Sequence, residues 1–259
     1  MMRTPLAWLV LSCVLAAAAR GQTRPIGITH VTVIDVEHGR RLRDHTVIVE
    51  GSRIATVGPS DQVRVPDGYG VVEARGKFVI PGLIDTHAHL TWGASERVPT
   101  DSIARGLALL ALSGVTTVVE LSAGVDSTTA DRAPRGAPDA PLARVRVVPA
   151  VQRDATVDAA NAARTSTGAA IHDELRRAVA GGLTPEAALR TVTFDAARAL
   201  GWQGRIGSIA PSRVADVLIL DANPLDDISN ATRIVALVIG GRFIDGAERN
   251  TLMARLNVK

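Results

Sequence analysis

The chain is 259 residues long, has a formal net charge of +3 and is 46% hydrophobic, which is enough apolar sequence for a packed core. Its basic residues are scattered, without a basic run or interleaved aromatic residues, and this distribution excludes the usual pattern of a nucleic-acid-binding protein. Cys13 is the only cysteine, so the chain has neither a disulfide framework nor a cluster of thiolate ligands.

Residues 1–20 have the pattern of a signal peptide. Met1-Met2-Arg3 is a short basic start, the stretch from Leu6 to Ala19 is mostly apolar, and the small residues at its end suit cleavage. A membrane-spanning helix needs about 20 apolar residues, so this shorter stretch predicts export rather than a stable membrane anchor. We therefore expect a periplasmic or secreted protein whose fold begins after residue 20.

Residues 26–80 are rich in β-branched residues and turn signals. Two apolar runs flank the turn Glu50-Gly51-Ser52-Arg53, and a Gly-containing turn between two such runs indicates a β-hairpin. A further turn is predicted at Arg75-Gly76. Together these features predict a small antiparallel sheet.

The most informative segment is Pro81-Gly82-Leu83-Ile84-Asp85-Thr86-His87-Ala88-His89, in which an apolar run from Leu83 indicates a buried strand. Residues two apart on a strand point to the same side, so His87, His89 and Asp85 are predicted to share one face. Two neutral imidazoles on one rigid strand provide half of a site for a divalent transition metal. The alternative interpretation is two polar residues on a half-exposed strand.

The next segment predicts a helix followed by a second buried strand. Ile103, Leu107 and Leu110 fall on one helical face, Gly114 ends the helix, and an apolar run from residue 115 to 121 follows. A strand, a helix and a strand of these lengths form a βαβ unit, which requires parallel pairing.

Two carboxylates are weak candidates for a catalytic role. Glu120 closes the second strand at the end where the active sites of barrels lie. Asp85 could orient one of the histidines by a hydrogen bond, without binding the metal itself. The alternative for Glu120 is a solvated strand end, and for Asp85 a structural hydrogen bond.

The histidines outside this motif are predicted to have no catalytic role. His30, His38 and His45 fall within residues 26–80 and are predicted to be structural or surface residues. His172 is predicted to be an exposed residue near a helix start.

The middle of the chain shows little periodicity of apolar residues, and a helical periodicity appears again only further along the chain. Residues 122–142 predict a loop, and residues 144–149 predict one short strand. An apolar stripe that starts at Ile171 predicts a helix that ends at Gly181-Gly182. A second helix is predicted from Thr184-Pro185, an N-cap followed by proline at the first helical position, to Gly201.

The last part of the chain returns to strands. Ala215-Asp216-Val217-Leu218-Ile219-Leu220-Asp221 is an apolar run between two aspartates. Residues 234–239 then turn at Gly240-Gly241 into residues 242–244. These patterns predict one strand followed by a hairpin.

In this order, the motifs resemble the amidohydrolase superfamily, in its imidazolonepropionase-like or prolidase-like branch. Residues 81–89 resemble the first barrel strand of that family, residues 171–201 its last barrel helices, and residues 207–224 the strand that returns to a β-sandwich. The resemblance implies an α/β fold in which a small β-sandwich, built from both chain ends, lies beside a (β/α) barrel. The implied division is a signal peptide at 1–20, a composite β-sandwich from 21–80 and 201–259, and a barrel at 81–200.

The implied barrel is partial and internally truncated. A complete barrel takes about 200 to 250 residues, and residues 81–200 supply about half of that. In the family, a carboxylated lysine or a glutamate, further histidines and an aspartate from later strands complete the metal site. The chain departs from that pattern, because Lys77 and Lys259 lie outside the barrel and His172 is the only histidine after His89. Residues 165–170, where the aspartate is expected, contain no aspartate.

The resemblance implies an exported hydrolase that cleaves a C–N bond of a small amide, a cyclic amide or a dipeptide-like substrate through a metal-activated water. His87 and His89 would bind the divalent metal, with zinc expected first and manganese or iron as alternatives. The expected partner is a small-molecule substrate, with no nucleic acid.

Three alternatives stay open at this point. One alternative is an internally deleted, non-catalytic remnant that acts as a binding or structural module. Such a remnant would keep the same family-like motifs in the N-terminal and C-terminal parts of the chain. Two chains could cover the exposed edges of each other's partial barrel, which predicts a homo-oligomer. An error in the gene sequence would also remove the middle of the barrel.

Overall fold

A computed structural model describes residues 24–88, 100–120, 141, 143–147 and 168–257. These residues form eleven strands and several helical segments. The strands are β1 (Ile26–Asp35), β2 (Arg40–Glu50), β3 (Arg53–Pro59), β4 (Gly70–Glu73), β5 (Phe78–Pro81), β6 (Leu83–Ala88), β7 (Val115–Glu120), β8 (Arg144–Val147), β9 (Val217–Leu220), β10 (Ile234–Ile239) and β11 (Arg242–Asp245). The α-helices are α1 (Thr100–Leu112), α2 (Ala169–Ala180), α3 (Pro185–Arg190), α4 (Ala196–Ala199) and α5 (Gly246–Asn257).

Two short helical segments of other types complete the described elements. A π-helical turn, Thr191–Asp195, joins α3 to α4, and a 3₁₀ helix, Ile228–Thr232, precedes β10. In the part of the chain that the structure describes, no helix has the length and apolarity that a membrane crossing requires.

Strands from both ends of the chain meet in one eight-stranded sheet. Its main order is β11-β10-β9-β5-β1-β2-β3, with β4 beside β1. The junction between the two ends is the antiparallel pairing of β5 with β9, in which Phe78 lies opposite Leu220 and Pro81 opposite Val217. The predicted hairpins β2–β3 and β10–β11 are both present and antiparallel.

The prediction of an all-antiparallel N-terminal sheet was wrong. Both β4 and β5 run parallel to β1, with Ile26 opposite Gly70 in one pairing and Thr32 opposite Phe78 in the other. The turn at Arg75-Gly76 carries the chain from β4 to β5 along the same edge of β1 and does not reverse it. A local turn signal does not distinguish these two outcomes, because the direction is set by pairing with a distant strand.

A second sheet of three parallel strands has the order β6-β7-β8. Helix α1 connects β6 to β7, so the predicted parallel βαβ unit is confirmed. The short strand predicted at residues 144–149 is β8, which pairs in parallel with β7. A sheet of this kind places the carboxyl ends of its strands at one edge.

Both faces of the eight-stranded sheet are covered. Along β9, Val217 and Ile219 belong to a core cluster formed within the large sheet, whereas Leu218 and Leu220 belong to the cluster shared with the helices. All four residues of this strand are buried, as expected for a central strand with packing on each side. The helix-side cluster includes Leu107 of α1 and so joins the large sheet to the βαβ unit.

The N-terminus of α3 is capped as predicted. The side chain of Thr184 accepts a hydrogen bond from the amide of Ala187 at 3.1 Å, and Pro185 occupies the first helical position. We expect Thr184→Ala to lower the free energy of unfolding by about 1 kcal/mol, because it leaves this amide without its partner. Thr184→Ser is the matched control, since it keeps the hydroxyl. Urea unfolding of the two variants tests the prediction, and equal losses would contradict it.

Candidate active site at the carboxyl end of β6

The strand that carries the predicted metal ligands begins where the two sheets meet. The amide of Gly82 donates to the carbonyl of Asp216 at 3.0 Å, and the amide of Leu83 donates to that of Gly114 at 2.9 Å. A Cβ atom added at Gly82 would lie 2.1 Å from Oγ1 of Thr116. Glycine at this position therefore lets the chain pass from β5 directly into β6, which fixes where the histidine strand starts.

Helical residues pack against β6 and hold it in place. Ile84 lies in a buried cluster with Ala196 and Ala197 of α4 and with Ile206. Because Ala196 and Ala197 follow the π-helical turn directly, that turn helps to set the position of β6. This support was not predicted from the sequence, because the contact of Ile84 with α4 joins residues far apart in the chain.

At the other end of β6, Ala88 pairs with Glu120, the last residue of β7. His87 and Glu120 are therefore backbone neighbours at the carboxyl edge of the small sheet, the edge where (β/α) barrels carry their active sites. The structure describes the backbone of both residues and not their side chains, and His89 lies outside the described residues. The roles predicted for these three residues remain predictions.

The register of β6 changes between Asp85 and Ala88. Asp85 lies opposite Val118, whereas Ala88 lies opposite Glu120, so β6 has one more residue than β7 over this interval. A bulge of this kind interrupts the strict alternation of side chains, and bulges are common beside active sites, where they redirect a side chain. Even spacing alone therefore does not place half-buried Asp85 on the same face as His87.

The other histidines that the structure describes lie elsewhere and already have partners. In the large sheet, Nδ1 of His30 lies 2.7 Å from Asp44, and Nδ1 of His45 lies 2.8 Å from the carbonyl of Arg43. The expectation that His30, His38 and His45 are structural or surface residues agrees with these contacts.

His172 was expected to be exposed at a helix start, and that prediction was wrong. His172 is only 7% exposed, and Nε2 of its ring lies 3.0 Å from the carbonyl oxygen of Ser113. Gly168, with a φ of +73°, brings the start of α2 against Ser113, a residue far away in sequence, and this contact buries the ring.

Lys77 lies in the large sheet, as its position before the barrel motif implied. Its Nζ lies 2.5 Å from Oδ1 of Asp221, and Nη2 of Arg233 lies 2.8 Å from Oδ2 of the same carboxylate. Hydrogen bonds from Lys77 and Arg233 lower the pKa of Asp221. Lys77 is thus bound to the strand that returns from the C-terminal part of the chain, away from β6.

The residues that the structure describes do not hold a complete metal site. Among them, no three histidine, cysteine, aspartate or glutamate side chains come together as a metal ion would need. A catalytic metal requires about three protein ligands and an open position. Two histidines such as His87 and His89 would supply two of these ligands, so the site would need at least one more.

Comparison with known proteins shows similarity to the amidohydrolase family. Residues 154–244 match the model of that family. It is 32% identical over 169 residues to an imidazolonepropionase of Micrococcus luteus, a match that covers 64% of this chain and 38% of that protein. It is 31% identical over 160 residues to adenine deaminase 2 of a Bradyrhizobium species, covering 60% of this chain and 25% of the relative.

Two solved structures share the fold. A putative prolidase from Bifidobacterium longum superposes with a TM-score of 0.67 at 18% identity, covering 92% of this chain and 100% of the prolidase. An adenosine deaminase from Xanthomonas campestris with bound zinc superposes with a TM-score of 0.59 at 16% identity, covering 91% and 99% of the two chains. At these identities the likeness supports the mixed α/β fold alone.

The chain spans 38% and 25% of the lengths of the two sequence relatives named above. The chain thus matches these relatives over only part of their length.

Proposed function

We propose that the protein is an exported hydrolase that cleaves the C–N bond of a small amide, a cyclic amide or a dipeptide-like substrate. The observation that carries the proposal is the β6–α1–β7 unit, which places Ala88 of the Pro-Gly-Leu-Ile-Asp-x-His-x-His motif beside Glu120. The match of residues 154–244 to the amidohydrolase family model supports the reaction class. Export is proposed from the pattern of residues 1–20, which lie outside the described residues.

The fold of the proposed enzyme is a truncated (β/α) barrel beside a composite β-sandwich. The three parallel strands β6, β7 and β8 would be the first strands of the barrel, and α2 to α4 its last helices. The eight-stranded sheet would form the sandwich, because it joins β1 to β5 with β9 to β11.

His87 and His89 would be the metal ligands, with zinc as the expected ion and manganese or iron as alternatives. A divalent metal supplies a Lewis acid that polarises the substrate carbonyl and activates a water molecule. Glu120, at the carboxyl edge of the sheet, is the candidate carboxylate for proton transfer, which contributes about a hundredfold to ten-thousandfold to a rate. Asp85 is the candidate for orienting one of the histidines. The substrate is a small molecule.

Metal content tests the proposal most directly. The purified chain is incubated with zinc, manganese or iron, desalted and measured by elemental analysis, beside the double variant His87→Ala/His89→Ala. We expect metal to remain with the parent chain and to be lost from the double variant, because two of its ligands are gone. The matched control is His38→Ala/His45→Ala, which removes two histidines from the large sheet and should keep the metal.

Hydrolysis assays on N-acyl amino acids, cyclic amides and proline dipeptides complete the test. We expect activity on at least one of these classes, with a loss of about a hundredfold or more in the His87→Ala/His89→Ala variant. A parent chain without retained metal, or a double variant that keeps both its metal and its activity, would overturn the assignment of these histidines. A chain without metal and without hydrolysis would be the non-catalytic remnant.

A further inference from the structure

One buried titratable side chain has no part in the proposed reaction. His172 lies in the first turn of α2 and is 7% exposed, and its Nε2 lies 3.0 Å from the carbonyl oxygen of Ser113, just beyond the end of α1. Its other ring nitrogen, Nδ1, is buried and has no hydrogen-bond partner among the described residues. The ring is therefore neutral, with Nε2 donating to Ser113 and Nδ1 left as an acceptor without a donor.

The end of α1 is held by two side chains from distant parts of the chain. His172 bonds the carbonyl of Ser113, and Nε of Arg249 on α5 donates to the carbonyl of Leu112 at 2.7 Å. Free carbonyls at a helix C-terminus need such partners. Gly168 lies directly against Ser113, since an added Cβ would be 2.4 Å from the Cβ of Ser113. Helix α2 is thus anchored to α1 through its first turn.

A second proton on His172 would weaken this anchor. The charged groups that act on the ring are Arg176 and Asp173 on α2 and Arg249 on α5, so two of the three are cations. A protonated imidazole would carry a buried charge, with an N–H at Nδ1 that has no acceptor among the described residues, and this arrangement is costly. Burial lowers the pKa of His172 below its ordinary value of 6.5, Arg176 and Arg249 lower it further, and the bond to Ser113 and the charge of Asp173 oppose the shift.

We propose that His172 is an acid-operated latch between α2 and α1, closed when the ring is neutral and released when Nδ1 takes up a proton. Because the pKa of the folded state is lowered, the latch contributes fully above pH 6.5, the ordinary value, and its contribution falls as pH decreases towards the folded pKa. On release, the first turn of α2 separates from the end of α1, and the contact of Gly168 with Ser113 opens. The latch does not depend on the hydrolase proposal.

Hydrogen exchange of the full chain between about pH 7.5 and about pH 5 tests the latch. After correction for the intrinsic pH dependence of exchange, we expect protection of the amides in α2 to fall about tenfold or more in the parent chain, the size of effect that one unsatisfied buried donor produces. His172→Gln should show no such fall, because its amide can donate to Ser113 and stays neutral. His45→Gln is the matched control and should behave like the parent chain.

An NMR titration of the His172 ring in the parent chain gives a second readout that needs no variant. We expect the ring to take up its proton in the same pH range in which α2 loses protection. Protection that falls equally in the parent chain and in His172→Gln would overturn the latch, and so would a ring that becomes charged while α2 stays protected.

Discussion

Replacing Gly241 with alanine is expected to lower the free energy of unfolding by about 3 kcal/mol, through overpacking and backbone strain together. Gly241 lies in the turn between β10 and β11 and has a φ of +87°. A Cβ atom there would lie 1.7 Å from the carbonyl oxygen of Gly51, in the turn between β2 and β3, and 2.9 Å from the Cα of Ser52. Both are backbone atoms, so the clash is relieved only by moving one hairpin away from the other.

Gly68→Ala is the matched control for this prediction. Gly68 has nearly the same φ, +84°, but an added Cβ would meet no atom within 4 Å. We therefore expect a loss of about 1 to 2 kcal/mol, from the left-handed backbone alone. Urea unfolding of both variants measures the difference. Equal losses would show that the contact between the two turns does not constrain the large sheet.

That contact is part of how the two ends of the chain join. The amide of Gly241 donates to the carbonyl of Ala215 at 3.0 Å, and the amide of Ala215 donates to that of Ser52 at 2.9 Å. A segment from the C-terminal part of the chain thus bonds the N-terminal hairpin in addition to the β5–β9 pairing. The free energy of unfolding should therefore report on both chain ends at once.

The parts of the fold that follow from local sequence were predicted correctly. The Thr184-Pro185 start of α3 depends on residues within one helical turn, and the β2–β3 and β10–β11 hairpins depend on short glycine-containing turns. The parallel pairing of β6 with β7 follows from the helix between them, because a crossover helix returns the chain in the same direction.

Two features that depend on distant residues were not predicted. The direction of β4 and β5 is set by β1, and the burial of His172 is set by Ser113, both far away in sequence. Neither position carries a local signal for its outcome. The sequence predicted that candidate site residues lie at the carboxyl edge of the small sheet. It did not predict the register change between Asp85 and Ala88, because that change depends on how β6 pairs with β7.

Helix α5 was missed although the sequence contains a signal for it. Asp245 precedes the helix, its Oδ1 accepts a hydrogen bond from the amide of Glu248 at 2.8 Å, and this spacing of two acidic residues is typical of a capped helix start. Leu252 and Leu256, four residues apart, are both buried. The last hairpin predicted from the sequence ends at residue 244, and no secondary structure was predicted for the residues after it.

Replacing Leu218 with alanine is expected to lower the free energy of unfolding by about 3 to 5 kcal/mol, the upper part of the range for core leucines. Leu218 is fully buried on β9, where it lies opposite Ile80 of β5 and Leu237 of β10. An added Cβ at Gly114 would lie only 2.8 Å from Cδ1 of Leu218, so this leucine also fills the junction with the end of α1. Strands on both sides limit any collapse around the cavity.

Leu183→Ala, the same deletion at a residue that is 44% exposed, should cost no more than about 0.5 kcal/mol. Because Leu218 contacts strands from both chain ends and the βαβ unit, its loss should lower the midpoint of the whole unfolding transition. Urea unfolding followed by far-UV circular dichroism and by tryptophan fluorescence checks this. Two separated transitions in Leu218→Ala would show that the large sheet and the β6–α1–β7 unit unfold independently, and would contradict a core that is continuous through Leu218.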